Sequence, residues 1–167
     1  MLSDIIKALG LVNVNMTDFL FVSLMNATLV LLAIFIHYEV LYHLARQMAD
    51  MLHLPRRFRV LLSVCVVFFA HVVEIWIFAL GYYFMLNNPD LGRLVGDNLA
   101  HGDLMDCAYL SFVTFTTVGY GDLVVHGYAR YLTGLEALTG LVLVTWSASF
   151  LFIEMQRYWP GSRSDSN

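Results

Sequence analysis

Residues 114–123, TFTTVGYGDL, set three threonines, two glycines, a tyrosine and an acid among long apolar segments. The stretch makes neither a good helix nor a good strand. Lipid offers no partners to backbone polar groups, so non-helical chain at membrane depth must be buried in protein or line a water-filled path. Gly119 and Gly121 alternate with Val118 and Tyr120. Glycine accepts backbone angles that other residues resist, so successive carbonyls can point the same way. Four such strands around one axis would stack rings of oxygens, a surface suited to a dehydrated cation.

Two further groups carry chemistry. His71 and Glu74 stand one helical turn apart within an apolar run, and Glu136 interrupts another. Ionisable groups at membrane depth are costly and need partners. One reading is a buried cluster of His71, Glu74 and Glu136 that senses pH or a metal; the other is polar glue between helices. Glu39 and His43, at i and i+4, have metal-ligand spacing, and His53 shares their face. That row is either a ligand set or a plain solvated face.

The elements that position these groups follow from composition. Of 167 residues 59% are hydrophobic and 13% charged, with a net charge of −4, which is the profile of a membrane protein. Apolar runs at 19–36, about 60–86 and 131–153 are each long enough to cross ~30 Å of hydrocarbon at ~1.5 Å per residue. The first has no basic lead-in and no small-residue cleavage site after it, so it reads as a retained helix rather than a signal peptide. Its polar face, Glu39, His43, Arg46, Asp50 and His53, continues the helix as an amphipathic extension to Leu54, where Pro55 interrupts it. Residues 103–115 open on Asp103 and Asp106, either able to cap a helix, and are too short to span. They read as a half-helix dipping into the membrane. Cys65 and Cys107 imply no disulfide.

Basic residues set the expected orientation. Arg46, Arg56, Arg57 and Arg59 lie between the first two spans and Arg157 and Arg163 in the tail, against Lys7, Arg93 and Arg130 on the other side. The N-terminus is expected outside and the C-terminus in the cytoplasm. The outer face then holds Asp4, Asp18, Asp90, Asp97, Asp103, Asp106 and Asp122 and would draw cations.

The run Thr116 to Asp122, TTVGYGD, resembles the selectivity-filter signature of the potassium channel superfamily, a filter that also serves as a general illustration of ion selectivity. The resemblance covers residues ~60–155 and implies an all-α integral membrane protein: three transmembrane helices, a re-entrant pore helix and a filter, assembled as a homotetramer, because one pore loop cannot enclose an axis. It implies K+ binding at the carbonyls of Thr117, Val118, Gly119 and Tyr120, with Gly121 closing the filter and Thr116 and Asp122 supporting it. Gly140 matches a hinge glycine, though helix packing through a small residue explains it equally; Leu141, Val144 and Ala148 would face a central cavity. A departure falls at Tyr109 and Leu110, where many relatives carry a bracing aromatic pair; a usual tryptophan hydrogen bond to the filter aspartate is then missing. Small prokaryotic members look most similar, which implies a prokaryotic inner membrane.

The expected organisation is an outer interfacial segment (1–17), a first helix with its cytoplasmic extension (18–54), a pore domain (55–157) and a cytoplasmic tail (158–167). Within the pore domain lie an outer helix (58–86), a pore helix (104–116), a filter (116–122) and an inner helix (129–157). The first span has no arginine ladder, so no voltage sensor of the usual kind is expected. There is no nucleotide loop, no nucleophile paired with a base and no inverted repeat, so neither an enzyme nor an active transporter is expected. The expected ligand is K+ alone, with no organic cofactor; the expected partners are lipid and further copies of the chain, and no nucleic acid. A non-conducting or weakly selective pore-fold protein, acting as a sensor or partner subunit, is the alternative.

Overall fold

A computed structural model describes residues 16–50, 55–96 and 103–158. The interfacial segment at the N-terminus, His53, Leu54, Asp97 and the tail beyond Tyr158 lie outside the described residues.

Helix α1 spans Met16–Asp50, α2 spans Arg56–Leu86, α3 spans Leu104–Phe115 and α4 spans Ala129–Tyr158. Stretches of α1, α2 and α4 are long and apolar enough to cross a membrane, at Met16–Gln47, Arg57–Leu86 and Ala129–Gln156. α3, with 12 residues, is not. The chain is an all-α, multi-pass integral membrane protein. Pro55, with φ −54° and ψ 139°, precedes α2 in an extended conformation, and proline suits a helix start because its missing N–H would have no partner there.

One contact face of α1 reads Val22, Asn26, Ala33, His37, Leu41 and Leu44, all buried and three, four or seven residues apart. Its other face, with Leu20, Leu24, Leu31 and Phe35, is open, as suits a helix bordered by lipid. The core joins all four helices: Val22 and Ala33 of α1, Phe78, Tyr82 and Met85 of α2, Cys107 and Phe115 of α3, and Leu132 and Leu143 of α4. A smaller cluster of Leu41, Leu44 and Val67 packs with Phe150 and Leu151 nearer the other end of α4.

A short antiparallel ribbon departs from the sequence reading, which placed only loop here. Strand β1 (Gly92–Gly96) pairs with β2 (Leu123–Gly127), with Gly92 opposite Gly127 and Gly96 opposite Leu123. The Ala129 N–H donates to the Leu91 carbonyl at 3.1 Å. The ribbon thus ties the chain leaving α2 to the chain entering α4, and α3 with residues 116–122 forms a loop closed at its neck.

Candidate functional site

Asp103 caps α3: its carboxylate accepts the backbone N–H groups of Met105 and Asp106, both at 2.9 Å. The other end is held tightly. The Thr116 N–H donates to Phe112 O at 3.2 Å, the Thr117 N–H to Thr114 O at 2.9 Å and the Gly119 N–H to Val113 O at 3.0 Å. These bonds turn the chain back on itself directly after the helix.

Beyond that turn the backbone alternates. Thr117, Gly119 and Gly121 have φ of 59°, 52° and 80°, while Val118 and Tyr120 between them do not. Alternate residues of opposite handedness bring successive carbonyls to one side of the chain. Nothing lies near the position a Cβ would take at Gly119 or Gly121, so backbone conformation rather than crowding calls for glycine there. Thr117 reaches the same region despite its branched side chain, an uncommon state that marks a site whose surroundings impose it.

Tyr109 donates its phenolic O–H to Asp122 Oδ2 at 2.8 Å, and this bond to a carboxylate raises the phenol above its ordinary value. The brace from α3 to Asp122 that the Tyr109 and Leu110 pair put in question is therefore present through Tyr109, while Leu110 is buried.

Behind the loop, Glu136 is fully buried between two helices. Tyr82 of α2 donates to its Oε2 at 2.5 Å, and Ser111 of α3 contacts its Oε1. The same Ser111 Oγ donates to the Ile75 carbonyl at 2.8 Å. Ser111 has one hydrogen and a carbonyl brings none, so the second bond forms when Glu136 carries a proton and donates it. Gly140, one turn further along α4, lies against the last residue of α3, and a Cβ there would fall inside the contact distance of the Phe115 carbonyl. Packing alone therefore accounts for a glycine at this position.

Glu74 and His71 sit elsewhere. Both Glu74 oxygens are engaged, Oε1 with His37 Nδ1 and Oε2 with His71 Nδ1, each at 2.9 Å. Ser147 Oγ of α4 lies 3.2 Å from Nε2 of both histidines. The suggested trio of His71, Glu74 and Glu136 is thus divided, since Glu136 meets α2 and α3 while His71 and Glu74 meet α1 and α4. Glu39 and His43 stand 3.6 Å apart on an exposed face, and no third ligand joins them among the described residues.

A family model described as "Ion channel" matches residues 62–157. The chain belongs to this ion channel family. Comparison with curated proteins found no match, and comparison with solved structures found none. The matched segment of the channel runs from within α2 to the end of α4 and includes the whole re-entrant loop, while α1 precedes it. Leu141, Val144 and Ala148 all lie on an open face of α4 in the single chain.

The sequence reading missed His37, Ser147, Tyr82 and Ser111. A signal for His37 existed: it continues the buried α1 stripe through Val22, Asn26 and Ala33 at helical spacing, although the face of Glu39 and His43 is the more polar one.

Proposed function

We propose that the channel is a passive, K+-selective pore formed by a homotetramer, with the carbonyls of Thr117, Val118, Gly119 and Tyr120 and the Thr117 hydroxyl replacing the hydration shell of the transported ion. The observation that carries this reading is the alternation of positive φ at Thr117, Gly119 and Gly121 directly after the capped, buried pore helix. Carbonyls facing one way from a single chain make one wall, and a ring requires symmetric copies. The C-terminal end of α3 carries partial negative charge and would favour a cation in the cavity below the filter. In this arrangement residues 55–157 are the pore domain, α1 is a helix added at its edge, and Leu141, Val144 and Ala148 line the cavity. The asymmetry of basic residues supports an N-terminus outside and a C-terminus inside the cell, and the resemblance of residues ~60–155 to small prokaryotic members supports a prokaryotic inner membrane.

The test is the reversal potential of the purified channel in planar bilayers with K+ on one side and Na+ on the other. A reversal far toward the K+ equilibrium value is expected. A reversal near zero with measurable current would refute K+ selectivity while leaving a cation pore.

A further inference from the structure

Four contacts form a ring at the meeting of α1, α2 and α4: His37 Nδ1 to Glu74 Oε1, His71 Nδ1 to Glu74 Oε2, and each histidine's Nε2 to Ser147 Oγ. His37 and Glu74 are fully buried, and the His71 side chain is 16% exposed. Two neutral imidazoles bring one N–H each and Ser147 one O–H, three hydrogens for four contacts. With an ionised carboxylate the ring is one cation short. Among the described residues the ionic partners of Glu74 are these two histidines, so no lysine or arginine supplies that charge.

We infer that His37, His71 and Glu74 bind a divalent metal of the zinc class, held between α1 and the pore domain. Two imidazoles and one carboxylate are a recurrent ligand set for zinc, with a fourth position left open. One ligand atom from each residue lies within 4.8 Å of the others. Zinc bonds of about 2.0–2.2 Å set tetrahedral ligands about 3.3–3.6 Å apart, so the two nitrogen–oxygen contacts need open only slightly to admit the ion. A metal among the Nδ1 atoms and the carboxylate moves both N–H hydrogens to Nε2, where the two lone pairs of Ser147 Oγ accept both. Ligating histidines commonly donate their second nitrogen in this way, which fixes tautomer and ring orientation. The rings stack at 5.2 Å, with Trp146 5.4 Å from His37 and Phe115 5.7 Å from His71, so aromatic walls surround the site and the partly open His71 edge admits the ion. Because Phe115 ends the pore helix and Ser147 belongs to the inner helix, the metal links α1 to both.

The experiment uses the full-length channel in detergent micelles, treated with a chelator, dialysed and titrated with Zn2+ against a chromophoric competitor, with bound metal counted by elemental analysis. About one zinc per chain is expected for the wild type and for His43→Gln, with a loss of at least tenfold in affinity for His37→Gln. Ser147→Ala keeps every ligand and should retain zinc with affinity reduced about 10–100-fold. Zinc should raise the thermal midpoint of the wild type but not of His37→Gln. The inference is overturned if the wild type retains no zinc, if His43→Gln loses it instead, or if only pH and never Zn2+ moves the midpoint, which would make the ring a proton site.

Discussion

Substitutions at Glu136 discriminate between a neutral and an ionised carboxyl buried behind α3. The hydrogen count at Ser111, whose Oγ faces both Ile75 O and Glu136 Oε1, is met in full by the neutral acid. Glutamine reproduces that acid in shape and polarity: its carbonyl accepts the Tyr82 O–H and its amide donates to Ser111. Glu136→Gln should therefore change stability by less than about 1 kcal/mol, as expected when each hydrogen bond is replaced in kind. Glu136→Ala opens a cavity, about 2–5 kcal/mol for side chains of this size. It also leaves the fully buried Tyr82 hydroxyl without its acceptor, adding about 1–3 kcal/mol. A loss of about 3–8 kcal/mol is the expected sum. Reversible unfolding in mixed micelles, followed by tryptophan fluorescence, measures both variants against wild type. An ionised Glu136 would instead make charge-assisted bonds to Tyr82 and Ser111, worth about 1.5–3 kcal/mol each. A Glu136→Gln loss of 2 kcal/mol or more, approaching that of the alanine variant, would refute the neutral acid.

Gly140→Ala pushes a methyl into the Phe115 carbonyl, and overpacking of this kind costs about 1–3 kcal/mol; unchanged stability together with unchanged gating in single-channel records would contradict the close contact. Gly121→Ala meets no neighbour, so its effect is backbone strain of about 1–2 kcal/mol at a positive φ. The chain should still assemble, as size-exclusion chromatography would report, but should lose K+ flux in vesicles; full flux would count against a filter in this conformation. Tyr109→Phe removes only the bond to Asp122. Current through this variant should decay faster at constant voltage than in wild type, and identical decay would show that the brace does not steady the filter.

The three spans were legible because hydropathy over some twenty residues is a local property, and the re-entrant loop because seven consecutive residues carry its chemistry. The ribbon was not. GRLVG and LVVHG are five-residue segments flanked by glycine, too short for period-two alternation to stand out, and their pairing depends on a loop closing between them. Glu136 and Glu74 looked like one cluster because sequence shows that both lie at membrane depth but not which neighbour each helix face meets. Tyr82 and Ser111 on one side, and His37 and Ser147 on the other, settle that question only in three dimensions. Asn26 remains a buried amide with no hydrogen-bond partner among the described residues, and nothing in the structure explains it.

The contact between Gly140 and the Phe115 carbonyl makes α4 and the turn that leads into residues 116–122 a shared bearing surface. Linkage is reciprocal: if a bend of α4 at this point changes ion affinity in the filter by some factor, ion binding must bias the bend by the same factor. In the proposed K+ pore, external K+ would then act as a ligand for the gate as well as the cargo, and the open fraction would report how full the proposed filter is.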